Sequence, residues 1–179
     1  MKISNFPCLN QIYDYDCGAK AIEAVLAHYG KDVDEQTIMK TAGTTSRYGT
    51  SVQGIERALK KFGLKYVARK MTVADVKKYV NGGTPVILLL QAWPEEPHKK
   101  IDWKNWWSDG HYSVAIGYDK KRMYFEDPMS EMRTYLTFSE MEDRWHDMIG
   151  KEKKVYRHLG IAVFGQRTAF DLKRAVPMG

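Results

Sequence analysis

The sequence predicts an α+β fold, with a helical N-terminal part and a C-terminal antiparallel β-sheet. Apolar residues recur at helical spacing as far as about residue 82, and from Pro85 onward the period becomes extended. Helices come first and a hairpin-rich sheet follows, an order that suits two packed subdomains and not a doubly wound sheet. The 179 residues, 44% hydrophobic and 28% charged, suit a single domain over 1–179: a helical part over about 8–82, a β-rich part over about 84–164 and a tail over 165–179. A chain of this length buries roughly 70% of its unfolded surface, so it needs neither disulfides nor a structural metal, and disordered and fibrous classes are excluded.

A first helix starts at Asp16, the expected N-cap, with Ala21, Ile22, Val25, Leu26 and Tyr29 on one stripe and Gly30 closing it. A second is expected over 34–42, followed by the polar loop Gly43-Thr44-Thr45-Ser46-Arg47-Tyr48-Gly49-Thr50. Ser51 caps a third helix, whose apolar face is Val52, Ile55, Ala58, Leu59 and Phe62 and whose end is Gly63. Residues 64–69 alternate like a strand, and Thr72 opens a fourth helix that stops at Gly82-Gly83. Residues 85–90 read as a buried strand, short, β-branched and flanked by Gly and Pro. Strands over 111–118 and 123–126 enclose Asp119-Lys120-Lys121 as a hairpin. Thr137-x-x-Glu140 and Ser139-x-x-Glu142 both fit a capping box for a short helix ending near Trp145, and 155–164 is a last strand. The stretch 92–110, with Trp93, Trp103, Trp106 and Trp107, is a long loop that forms a local aromatic core or walls a cleft. The tail over 166–179 has no strong period.

The 28 Lys+Arg and 22 Asp+Glu leave a formal charge of +6. The basic residues Lys60, Lys61, Lys65, Arg69, Lys70, Lys77 and Lys78 fall at irregular spacing on element exteriors, a solvated face, and no nucleic-acid partner is expected. Two cysteines, Cys8 and Cys17, are too few for a secreted disulfide scaffold and lack zinc-ligand spacing, so a reducing compartment and no metal or other cofactor are expected. MKISNFPCLNQ has no apolar run behind its lysine, and the longest apolar stretch, 86–90, is far short of a membrane span. The chain is therefore expected to be soluble, unprocessed and cytoplasmic.

A cysteine in the first turn of a helix faces unpaired N–H groups and the positive end of the macrodipole, which favours thiolate. Cys17 has that position, and a histidine partner would make it nucleophilic at neutral pH. Among the histidines, His28 is within a helix, His98 in the Trp-rich loop, and His146 and His158 in helix or strand text. His111 opens a strand behind Asp109-Gly110, where its side chain can project from the sheet edge toward a helix terminus. Asp127 ends the next strand, which antiparallel pairing returns to the start of the first, so it can fix the imidazole tautomer. Gln11, six positions before Cys17, is an amide that can donate to an oxyanion together with the Cys17 backbone N–H.

Gln11-x-x-x-x-Asp16-Cys17-Gly18 with Gly30, then Gly110-His111-Tyr112-Ser113-Val114 with Gly117-Tyr118, then Glu126-Asp127-Pro128, resemble the bacteriocin-processing, double-glycine peptidases in order and spacing. Gly49-Thr50-Ser51 is similar to that family's interior, and the resemblance spans about residues 8–164. It implies a papain-like cysteine peptidase fold, with Cys17 as nucleophile, His111 as general base and acid, Asp127 as its orienting group and Gln11 as oxyanion donor. It further implies a peptide or protein substrate cut after Gly-Gly or other small residues in a leader or precursor. Lys20 departs from the pattern, standing where the family usually has a small residue. The same residues would also serve an amidase, deamidase or transferase acting on protein side chains, or a peptidase fold that only binds peptide.

Overall fold

Helix starts are set by side chains that accept the first free N–H groups. The computed structural model describes residues 2–96 and 100–166, so His98 and residues 167–179 of the tail lie outside it. Its helices are α1 (Cys17–His28), α2 (Glu35–Ala42), α3 (Val52–Lys61), α4 (Val73–Asn81) and α5 (Phe138–Arg144). Asp34 caps α2 through the Thr37 N–H and Ser51 caps α3 through the Gly54 N–H. Thr72 and Asp75 form a capping box on α4, and Thr137 and Glu140 form one on α5, so the box is the Thr137 one and not that of Ser139. Asp16 sits at the N-cap position of α1 but makes no side-chain capping bond. Its carboxylate instead turns back to accept from the backbone N–H groups of Ile12 and Tyr13, 3.1 Å each, and so braces the preceding loop.

The described residues hold eight strands, in chain order β1 (Lys65–Lys70), β2 (Val86–Gln91), β3 (Gly110–Tyr118), β4 (Arg122–Glu126), β5 (Thr134–Thr137), β6 (His146–Ile149), β7 (Lys154–Arg157) and β8 (Leu159–Phe164). Six of them form one antiparallel sheet in the order β1-β8-β2-β3-β4-β5, and β6 and β7 form a separate two-stranded sheet. The single strand expected over 155–164 is therefore two, broken at His158, whose backbone takes φ 58°. That turn lets β7 pair with β6 while β8 inserts between β1 and β2.

Every residue of β2 is buried, as expected of a strand covered on both faces. Helix α1 packs on β3, with Ala19, Ala21, Ile22, Val25 and Leu26 at the centre of the core. The β3–β4 turn is closed by the Asp119 carboxylate, which accepts from the N–H groups of Lys121 and Arg122, 2.7 Å each. Among the described residues, no helix is long and apolar enough to cross a membrane.

Candidate active site

Helix α1 begins at Cys17 itself, so the thiol stands at the first helical residue, half-buried, beside the free N–H groups of the first turn. Gly18 permits this seating: a Cβ there would lie 2.7 Å from Thr50 Cβ and 3.0 Å from the Tyr112 ring. The Gly-rich loop before α3 and the strand β3 thus close on the helix N-terminus from two sides.

On that strand His111 pairs with Leu90 of β2 and is buried. The β3–β4 register sets Val114 opposite Glu126, and one step further it brings Asp127 diagonally beside His111. The imidazole Nε2 lies 2.7 Å from Asp127 Oδ1, and the ring is within hydrogen-bonding reach of the Cys17 thiol. Burial alone would depress the imidazole, but the hydrogen bonds and charges of Asp127 and Cys17 outweigh it and raise its pKa. Burial likewise acts to raise Asp127, and His111, the Met129 N–H and Thr134 outweigh it and lower its carboxyl.

Asp127 has further partners that the sequence did not single out. The Trp93 indole N–H points at both carboxylate oxygens, 3.3 and 3.1 Å away, and the Thr134 hydroxyl donates to Oδ2 at 3.0 Å. Trp93, expected to belong to a local aromatic core or a cleft wall, has φ 56° at this position. Nothing in the sequence around Thr134 signals its role, because β5 reaches Asp127 only through pairing with β4.

Gln11 comes to the same end of the sheet, its N–H donating to Pro128 O at 2.8 Å. One N–H of its amide donates to Tyr13 O at 2.9 Å, and its Oε1 is buried without a donor. Cys17, His111 and Asp127 are therefore in direct succession, with Gln11 held beside Pro128. Cys8 lies apart, exposed, with its thiol on Glu131 O. His28 stacks on Phe6, His146 Nε2 meets Trp106 O at 2.7 Å, and His158 stacks on Trp145.

A cleft in front of Cys17 is walled by Tyr48, Thr50, Trp107, Tyr112 and Asp147. Of the four indoles of the long loop, Trp107 faces this cleft, while Trp93 and Trp103 line a groove on the Asp127 side. Asp147 is buried, accepts from Gln91 Nε2 at 2.8 Å, and has its carboxyl raised to about 6 by desolvation. Its carboxylate fills the space where Gly110 lacks a Cβ.

The sequence profile of the peptidase C39-like family matches residues 3–153. Among solved structures, the peptidase domain of Streptococcus ComA, a bifunctional ABC transporter involved in a quorum-sensing pathway, superposes with a TM-score of 0.68 at 21% identity, over 90% of this chain and 100% of that one. A double-glycine-motif protease from an AMS/PCAT transporter, solved with the leader peptide, gives 0.65 at 18%, over 90% and 93%. A C39-like chain from Bacillus anthracis gives 0.68 at 18%, over 93% and 98%. At these identities the likeness is one of fold. No curated protein matches the chain significantly in sequence.

Proposed function

The chain belongs to the peptidase C39-like family, and from that premise we propose that it is a cysteine peptidase acting through Cys17, His111 and Asp127. The observation that carries this reading is the unbroken succession of thiol, buried imidazole and buried carboxylate at a helix N-terminus. His111 takes the thiol proton, and the Cys17 sulfur adds to a peptide carbonyl carbon. The oxyanion is met by the Cys17 backbone N–H and by the second N–H of the Gln11 amide, the first being on Tyr13 O. His111 then gives its proton to the leaving amine as the C–N bond breaks. Water, deprotonated by the same imidazole, releases the acyl group from sulfur. Asp127 keeps the imidazole turned by its Nε2, which leaves Nδ1 for the thiol.

Cleavage after Gly-Gly or another small pair in a leader or precursor peptide fits a cleft whose walls beside Cys17 include Thr50 and Tyr112, both packed closely against Gly18. A Gly-Gly-containing peptide is incubated with the wild-type chain, Cys17→Ala and His111→Ala, and the products are weighed. Two fragments summing to the peptide plus water, from the wild type alone, support the reading. Cleavage by C17A at the wild-type rate would falsify it. An intact peptide heavier by about one dalton would indicate side-chain deamidation by the same nucleophile.

A further inference from the structure

Lys20 is the residue at which the chain departs from the double-glycine peptidase pattern, and it does not face solvent. It lies buried on α1, its ammonium 2.7 Å from Glu23 and 3.0 Å from Glu35 at the start of α2. Asp16, fully buried, also faces Glu35. Oε1 of Glu35 and Oδ1 of Asp16 are both buried with no donor, and the Asp16 carboxylate is within hydrogen-bonding reach of Glu35. The other Asp16 oxygen holds the N–H groups of Ile12 and Tyr13. Tyr13 is thereby gripped at both ends, its N–H by Asp16 and its carbonyl by the Gln11 amide.

We propose that Lys20 is a positioning residue for the oxyanion donor: its charge balances Glu35 against Asp16, so that Asp16 can hold the 11–13 loop and with it the Gln11 amide. The inference rests on the peptidase reading above and adds to it a control on Gln11 that comes from the α1–α2 contact. The charged groups facing Glu35 are Lys20 from α1 and Asp16 just before it, with Glu23 beyond Lys20. Two carboxylates pressed together without a cation have two ways to relax. At low pH Glu35 keeps a proton and donates it to Asp16, which satisfies both orphaned oxygens and leaves the loop in place. At high pH that proton is lost, the pair repels, and Asp16 lets go of the loop. Burial and the Asp16 charge already push Glu35 upward in the native chain, with Lys20 opposing them.

The test separates steps that need an oxyanion donor from one that does not. Acylation of Cys17 by p-nitrophenyl acetate passes through a tetrahedral oxyanion, whereas alkylation by iodoacetamide is a direct displacement at carbon. Both rates are measured on the full chain between about pH 5.5 and 8.5 for wild type, Lys20→Met, Glu35→Gln and the double variant. K20M is expected to match wild type near pH 5.5 and to lose about tenfold in acylation by pH 8, with alkylation within about twofold. The double variant restores the local charge balance and is expected to recover acylation to within about threefold, as is Glu35→Gln alone, whose amide donates to Asp16. Lys20→Gln, uncharged but able to hydrogen-bond both carboxylates, is held to the same outcomes if K20M does not fold.

Equal losses in both rates, a pH-independent deficit, or no rescue in the double variant would each overturn the proposal. If wild-type Cys17 reacts with neither reagent faster than Cys8, the peptidase reading itself fails and takes this proposal with it.

Discussion

Asp147 borders the candidate site, and its burial gives it a pH-dependent effect on stability. It is buried, and among the described residues no cation pairs with it; Gln91 and the Met148 N–H hold it. The folded chain keeps its proton to about 6 against an ordinary 3.8, so between those values the folded state binds more protons than the unfolded one. The contribution of this group is therefore full below pH 3.8 and is lost as pH rises through 6. Asparagine does not titrate. Asp147→Asn is expected to match wild type near pH 3.5 and to be more stable at pH 7.5 by up to about 3 kcal/mol, read by denaturant unfolding at both pH values. A gain of the same size at both would show that charge is not the cause. The sequence offered no sign of this residue, since its burial comes from packing against Gly110, 37 positions away. Cys17, His111 and Asp127 were legible because each sits where an element begins or ends, and those boundaries have chemical markers: a helix start, a Gly before a strand and a Pro after one.

Among the elements, those marked by caps, an apolar period or flanking turn residues were readable, and the four-residue strands were not. Helices α1 to α5 and strands β1 to β4 lie where periodicity and capping residues place them. Strands β5, β6 and β7 have four residues each, too few for a pattern, and their burial follows no alternation; β7 was legible only as the start of the strand expected over 155–164. The break at His158 lay inside the run 155–164 that read as one strand, because positive φ at a non-glycine residue leaves no mark in the sequence. The β6–β7 ribbon nonetheless matters to the site, because β6 presents Asp147 to the start of β3, directly before His111. Gly110→Ala would drive a methyl group into that carboxylate and push β3 and β6 apart. It is expected to cost about 1–3 kcal/mol and to slow iodoacetamide alkylation of Cys17, because His111 moves with its strand. Gly83→Ala is the control: with φ 75° and open space around it, it carries backbone strain of about 1 kcal/mol and leaves Cys17 reactivity unchanged. Equal alkylation rates in the two variants would mean that β6 does not bear on His111.

On the scale of the whole molecule, the candidate site is assembled from three separate stretches, around residues 11–17, 111 and 127, and the segment 2–13 carries Gln11. That segment has no helical or strand period, yet it is fastened along the β3–β4 side of the sheet. Ile3 N donates to Ile116 O at 2.7 Å, Leu9 N to Glu126 Oε1 at 2.7 Å, and Gln11 N to Pro128 O at 2.8 Å. Arg133 closes the strap: its guanidinium donates to the Phe6 and Pro7 carbonyls and pairs with the buried Glu126 carboxylate. One cation thus fixes both the strap and the residue preceding Asp127. Arg133→Ala leaves Glu126, only 1% exposed, without its counter-charge, and such a loss costs about 3–5 kcal/mol. Two further consequences separate this from general loosening. Hydrogen exchange of the Leu9 and Gln11 amides should accelerate while amides within α1 stay protected, because the strap detaches before the core opens. Replacing Glu126 by Gln in the same chain removes the stranded charge but keeps an acceptor for Leu9, so it should recover more than half of the lost stability. Uniform exchange across α1 and the strap, or no recovery in the double variant, would show that Arg133 acts by packing alone and that Gln11 is held in place by its neighbours in the 11–16 loop.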